Sequence, residues 1–281
     1  MNTVAKTQAR VCLCGSGEFA LAFDYHEPPQ GEVRFKFSVG TYRRQVLRCT
    51  SCGHYLSTHA MDMSDLYSNN YVDSTYGADG IRSAFERIMA IDPARSDNAG
   101  RVTRVISFAK SVFGADACDR SDIDILDVGS GLCVFLNRIN QLTSWNCTAL
   151  DPDPRAVEHA RNMVGVNSFC GDFMKITDIG HYDIVTFNKV LEHVHDPIAM
   201  LAKAAPLLKS GGIVYIELPD GEAAASEGKG REEFFIDHHH VFSTASTKVL
   251  AERAGFLPIV VEHLREPSSK FTVRAFLSPR G

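Results

Sequence analysis

A chain of 281 residues is long enough for one large domain, or for a medium domain with a small appendage. With 44% hydrophobic and 22% charged residues it has the make-up of an ordinary globular protein, and no apolar run approaches the roughly 20 residues that span a bilayer. A net charge of -5 disfavours a phosphate-tracking basic face, so no nucleic-acid partner is expected; "MNTVAKTQAR" has no hydrophobic leader, and the expected location is the cytoplasm.

Residues 1–60 contain two cysteine pairs, Cys12 and Cys14 in "CLCG" and Cys49 and Cys52 in "CTSCG". Between them "VRFKFSV" alternates as a short strand does, which predicts a small separate module. The other four cysteines, Cys118, Cys133, Cys147 and Cys170, lie in apolar contexts and read as small buried side chains. Residues 61–120 begin with an irregular connector rich in Asp, Ser, Asn and Tyr. Helical spacing follows at Phe85, Ile88 and Met89 and again at Val102, Val105, Ile106 and Phe108, interrupted at Asp92-Pro93.

From 121 to 281, short apolar runs such as "IDILDV", "YDIVTFN" and "GIVYIEL" alternate with helical patterns. That order predicts an α/β domain with a doubly wound, seven-stranded, mostly parallel sheet. The last two runs, "FLPIVVEHL" and "FTVRAFL", have no helix between them, so the final strand is expected to be antiparallel. Asp153 before Pro154, Asp196 before Pro197, and Ser243 mark helix starts. The small-residue tract "GEAAASEGKG" at 221–230 is expected to form a mobile lid.

Chemistry concentrates behind "IDILDV", in the turn "GSGLCVF". Gly129 and Gly131 let backbone approach a ligand at a strand end, but Val134 stands where a dinucleotide fingerprint has its third glycine. A tight turn alone accounts equally well for the two glycines. Asp127, just before the turn, adds a carboxylate suited to a ligand's ammonium group. Asp151, in "ALDPDP", can accept both hydroxyls of a ribose, or only cap the following helix. In "CGDFM", Asp172 could accept from an adenine amino group while Phe173 packs on its ring; a turn aspartate beside a core phenylalanine is the plainer alternative.

Taken together, these segments resemble the class I S-adenosylmethionine-dependent methyltransferases over about residues 120–281. The resemblance implies that "LDVGSG" wraps the methionine part of S-adenosylmethionine, that Asp151 holds the ribose, and that Asp172 and Phe173 flank the adenine. In "YDIVTFNKVLEHVHDP" it implies that Asn188 lies near the methionine, and "LLKSGGIVYIELPD" matches the family's fifth strand. Over the whole chain, the cysteine module, the Leu66-Tyr67 and Tyr71 connector and "DHHHVFS" resemble bacterial methyltransferases acting on sugars and polysaccharide precursors, whose amino-terminal module is a zinc ribbon. Cys49, Cys52 and the following Gly53 fit half of a zinc site; Cys12 and Cys14, with one residue between them instead of two, depart from the pattern, and His26 or His54 could substitute, or the module could fold without metal.

Methyl transfer to a hydroxyl needs a base. His193 and His195 follow the fourth strand and His238, His239 and His240 follow the fifth; the resemblance carries over to His238, and His193 or His238 is the expected base. Helix capping, or pairing with Glu192 and Asp237, would also account for these histidines. Some quinone-pathway O-methyltransferases bind a divalent ion through a Glu-x-x-Glu-His set; here Lys189 replaces the first glutamate, so no catalytic metal is expected. Tyr67, Tyr71 and Tyr76 could fold over the cofactor or simply pack. The expected function is O-methylation of a sugar hydroxyl on a small-molecule or glycan acceptor. C-methylation of a keto-sugar, O- or N-methylation of another natural product, and a non-catalytic binding module are the alternatives.

Overall fold

The central apolar runs in the second half of the chain, at 124–128 and 182–188, become strands buried on both faces. The structure, a computed structural model, describes residues 10–32, 42–61 and 80–280; the "VRFKFSV" strand and Tyr67, Tyr71 and Tyr76 lie outside the described residues. Among the described residues one sheet has seven strands: β4 (Asp124–Val128), β5 (Asn146–Asp151), β6 (Asn167–Cys170), β7 (Tyr182–Asn188), β8 (Leu208–Pro219), β10 (Phe256–Arg265) and β11 (Phe271–Pro279). Their order is β10-β11-β8-β7-β4-β5-β6. β4 pairs in parallel with both β5 and β7, whereas β11 is antiparallel to β8 and β10, so the final strand runs as the sequence predicts.

Residues alternate between the faces, as a pleated strand requires. Leu126, Val128, Val185, Phe187 and Ile216 join one core cluster, and Ile125, Ile184 and Tyr215 join the other. Helices cover both. α1 (Gly80–Met89) precedes α2 (Asp97–Phe113), and the break expected at Asp92-Pro93 is a 3-10 turn in which Asp92 accepts from Ala94 N. α2 and α3 (Val134–Leu142) pack on the second cluster through Val102, Val105, Leu136 and Ile139. α5 (Pro197–Ala202) and α7 (Thr244–Arg253) cover the first through Leu201 and Leu250. Asp153 caps α4 (Pro154–His159), and Ser243 forms a capping box with Ser246 at α7. No helix among the described residues is long and apolar enough to cross a membrane.

Chain order reverses at β4: β5 and β6 lie on one side, β7 and β8 on the other. In open α/β sheets the crevice at such a reversal, outside the carboxyl ends of the strands, is where ligands bind. Asp127 and Asn188 stand on either side of it.

The amino-terminal part forms a second sheet from β1 (Phe19–Tyr25), β2 (Arg44–Cys49) and β3 (Tyr55–His59), all antiparallel. Its fourth strand, β9 (His240–Val241), comes from far along the chain, pairing Tyr55 with Val241 and Leu56 with His240. A division at residue 60 therefore separates the sequence but not the sheet.

Two expectations are corrected. The tract 221–230 begins with an ordered helix, α6 (Gly221–Ser226), because Asp220 caps it by accepting from Glu222 N and Ala223 N, and alanine favours helix. Its first residue is wedged in place: a Cβ on Gly221 would lie 2.6 Å from the Tyr55 ring. Cys133 and Cys147 are buried as expected, but Cys170 is exposed, because it ends the edge strand β6.

Candidate active site

Asp127, next to last in β4, is 2% exposed. Thr186 Oγ1 donates to Asp127 Oδ1 at 2.6 Å and Asn188 Nδ2 donates to the same oxygen at 2.7 Å. Burial outweighs these bonds and pushes the carboxyl up to about 6. Asn188 Oδ1 is buried with no hydrogen-bond partner among the described residues. A raised carboxyl beside an unpartnered amide oxygen suits a ligand carrying N–H donors and positive charge.

The turn that follows is held to β5 by Gly129 N, which donates to Leu150 O at 2.8 Å, and back to β4 by Ser130 Oγ, which donates to Asp127 O at 2.7 Å. Gly129 has φ +71, and a Cβ there would lie 2.7 Å from Val190 Cγ2. The glycine is thus required by the loop after β7, which closes onto the turn. Gly131 N donates to Asp151 Oδ2 at 2.8 Å, and Asp153 N to Asp151 Oδ1 at 2.9 Å. Asp151 is fixed at the rim of the crevice, with a second lone pair on each oxygen available to a diol. Burial raises its pKa as well.

Asp172 and Phe173 part company. Asp172 is exposed, accepts from Met174 N at 2.9 Å and pairs with Lys175 at 3.0 Å. Phe173 is 2% exposed and packs edge-on against Phe187, so core packing accounts for its ring.

His193 and His238 meet. Their rings lie 4.8 Å apart at 69°, although 45 positions separate them in the chain. His238 Nδ1 is 2.8 Å from Glu233 O and His193 Nδ1 is 2.9 Å from Asp237 O. A carbonyl only accepts, so each neutral ring carries its proton on Nδ1 and presents Nε2 as the basic atom. Burial lowers the pKa of His238, which keeps it neutral near pH 7. Glu192 is 0% exposed, and neither carboxylate oxygen has a hydrogen-bond partner among the described residues; Oε1 is 4.0 Å from His193 Nε2. Ligand atoms of Glu192, His193 and His238 all lie within 4.8 Å of one another. His195 is stacked on His239 at 4.3 Å, away from this pair.

The four early cysteines also converge, with their sulfurs within 4.8 Å of one another. Cys12 Sγ is 3.5 Å from Cys52 Sγ and Cys14 Sγ is 3.7 Å from Cys49 Sγ. These separations are too long for disulfides and close to the edge of about 3.8 Å expected for four thiolates around one ion at ~2.3 Å. The single-residue spacing of Cys12 and Cys14 is accommodated by a turn in which Gly15 N donates to Cys12 O at 2.8 Å. Neither His26 nor His54 belongs to the group.

A family model described as a methyltransferase domain matches residues 94–260, more than half of the chain. The chain belongs to the methyltransferase domain family. The ubiquinone biosynthesis O-methyltransferase of Xanthomonas campestris pv. campestris (strain B100) is 32% identical over 108 residues, covering 36% of this chain and 45% of that protein. The enzyme of the same name from Colwellia psychrerythraea is 28% identical over 101 residues, 34% of this chain and 41% of that protein. The chain spans less than half the length of these curated relatives. Among solved structures, magnesium protoporphyrin IX methyltransferase from Synechocystis PCC 6803, with bound S-adenosylhomocysteine, superposes with a TM-score of 0.56 at 13% identity, covering 77% of this chain and 99% of that one. Burkholderia thailandensis 1,6-didemethyltoxoflavin-N1-methyltransferase gives 0.54 at 14% identity, with 89% and 100% covered. These likenesses show the Rossmann-like methyltransferase fold.

Beneath the crevice of this methyltransferase domain lies a buried charge network that the sequence reading missed. Glu217, 0% exposed, is forked by Arg101, accepts from Arg274 Nε at 3.1 Å and from Tyr215 Oη at 2.9 Å, and Arg274 reaches Glu266 at 2.5 Å. Lys189, at φ +59, donates from Nζ to Thr272 Oγ1 at 3.0 Å. The signal was available: Glu217 and Arg274 are charges inside apolar strand runs, and they face each other in the β8–β11 register.

Proposed function

We propose that the chain transfers a methyl group from S-adenosylmethionine to a hydroxyl of a small-molecule or glycan acceptor, a sugar in the first instance, with His238 as general base. One observation carries this reading: Asn188 Oδ1, with no hydrogen-bond partner among the described residues, lies beside Asp127 at the mouth of the sheet, on the strand whose following loop bears Glu192 and His193. The name O-methyltransferase borne by the relatives supports transfer to oxygen. The likeness of the cysteine module and "DHHHVFS" to sugar methyltransferases supports the sugar.

When bound, S-adenosylmethionine supplies a methyl group on a positively charged sulfur, ready for in-line displacement. Asp127 and Asn188 Oδ1 would hold the ammonium group. Asp151, oriented by Gly131 N, would receive the ribose hydroxyls, and Asp172 at the rim would be left for the adenine amino group. His238 Nε2 takes the acceptor's proton; its Nδ1–H bond to Glu233 O fixes the tautomer that allows this. Cys12, Cys14, Cys49 and Cys52 would hold one structural zinc ion, a fit supported by their sulfur separations.

The gathering of Glu192, His193 and His238 favours a second reading, in which a divalent cation shared by the three replaces the base. A panel of nucleotide sugars, glycan fragments and quinone precursors, read by S-adenosylhomocysteine release with the methyl position mapped by mass spectrometry, tests the proposal. Methylation on carbon or nitrogen would replace the O-methyl assignment. Absence of S-adenosylmethionine binding, with Asp151→Ala indistinguishable from wild type, would leave a non-catalytic binding module.

A further inference from the structure

The segment that carries His238 is gripped from both sides. His239 N donates to Glu192 O at 2.8 Å, in the loop after β7, while Ser57 N, in β3 of the cysteine module, donates to His239 O at 3.0 Å. One residue on, His240 sits in β9 and does the same with its side chain. Its Nε2 is 3.3 Å from His195 O and its Nδ1 is 2.9 Å from His54 Nε2.

The protons along this line can be assigned. The His195 carbonyl only accepts, so His240 donates from Nε2; its Nδ1 must then accept, and His54 must donate from Nε2. His54 Nδ1 is left as a bare lone pair, buried without a hydrogen-bond partner among the described residues. Both rings are buried, His54 at 0% exposed and His240 at 9%. The arrangement is a fixed tie with one proton pattern.

His54 follows Cys52 and Gly53 directly, and its own carbonyl accepts from Cys49 N at 2.7 Å. Ser243 Oγ, at the far end of the same segment, donates to Cys52 O at 2.7 Å. The turn bearing two of the cysteines thus holds the segment at His240 and Ser243, and β3 holds it at His239; these residues lead from His238 into α7. We infer that His54 of the cysteine module is a positioning residue for methyl transfer, tying the segment of His238 to the loop of Glu192 and His193 through His240. The inference rests on the reading of His238 as base. It makes the module a wall of the active site instead of a separable recruitment unit.

The test uses the full chain with ring-labelled histidine, its zinc content measured in every variant. His54→Phe fills the space without a donor, and His54→Gln restores one. His240→Leu and His240→Gln repeat the contrast from the other end, which covers the case in which His54→Phe does not fold. Long-range proton–nitrogen spectra read the tautomers of His238 and His240, and calorimetry with S-adenosylhomocysteine reads the cofactor pocket. In wild type and both Gln variants, His238 is expected as a single Nδ1–H tautomer. In His54→Phe and His240→Leu it becomes a mixture, S-adenosylhomocysteine affinity stays within about twofold, and kcat falls by about 100-fold with KM little changed, the scale of a misplaced catalytic group. An unchanged His238 tautomer in His54→Phe and His240→Leu, or Gln variants that behave like them, would overturn the inference. Loss of turnover in wild type itself would count against the methyltransferase reading, while the tautomers would still decide the tie.

Discussion

Asn188 donates to Asp127 Oδ1 at 2.7 Å while its own Oδ1 is buried with no partner among the described residues. In the proposed reading the pair receives a cationic ligand; without one, burial raises the carboxyl to about 6. Only the ionised carboxylate binds an ammonium group well. S-adenosylhomocysteine affinity, measured by calorimetry, is therefore expected to fall about tenfold per pH unit below pH ~6. Asp127→Asn should lose about 10- to 100-fold in affinity at pH 7.5, with the pH dependence largely gone.

The same shift affects stability. A carboxyl raised in the folded state contributes stability that is present below the unfolded pKa of ~4 and lost as pH rises through about 6. The cost at pH 7.5 is on the order of 3 kcal/mol, since each pKa unit corresponds to about 1.4 kcal/mol. Ligand-free Asp127→Asn, able to keep the Thr186 and Asn188 bonds, should melt higher than wild type at pH 7.5, with a smaller margin at pH 5. An unchanged melting temperature at both pH values would refute the assignment.

Glu217 gives the opposite sign. Burial alone would raise its pKa, but Arg101, with help from Lys189 and Arg274, holds it far below the carboxylate range. Its contribution is present above pH ~4.3 and is lost as pH falls toward its folded pKa. Glu217→Ala leaves Arg274, 5% exposed, and Arg101 without their shared partner, and should cost about 3–5 kcal/mol in denaturant titration. A loss below 1 kcal/mol would mean that the network contributes little.

How much was legible before the fold was known depended on range. Asp127, Gly131 and Asp151 could be read because strand, turn and next strand follow in order, and short-range spacing fixes where each lands. Ser243 and Asp196 announced their helices because a cap bonds within three residues. The meeting of His193 with His238, the closing of Cys12 and Cys14 onto Cys49 and Cys52, and the pairing of β9 with β3 all depend on contacts between distant parts of the chain. A resemblance could name those residues, but pattern alone could not bring them together. Within the tract expected to form a lid, Asp220 caps a helix at Gly221–Ser226, a local cap that its small residues did not announce.

The cysteine cluster predicts one metal ion per chain. Cobalt substitution should give the intense thiolate charge-transfer absorption of a tetrahedral four-sulfur site, and Cys49→Ser or Cys52→Ser should abolish it and lower the melting temperature of the whole chain, because Cys52 O is tied to Ser243 at the start of α7. A metal-free protein with unchanged stability would remove the zinc assignment.

The two readings of the histidine pair differ in what removes turnover. If His238 is the base, His238→Ala lowers kcat by about 100- to 10,000-fold while S-adenosylhomocysteine affinity is unchanged. The rate should fall on the acid side through a pKa below the ordinary imidazole value of ~6.5, the direction that burial imposes on His238. Activity should then survive a chelator that leaves the cysteine-bound ion in place, and Glu192→Gln should lower the rate less than His238→Ala. If a cation held by Glu192, His193 and His238 does the work, the same chelator stops turnover, added divalent ion restores it, and Glu192→Gln is as damaging as His238→Ala.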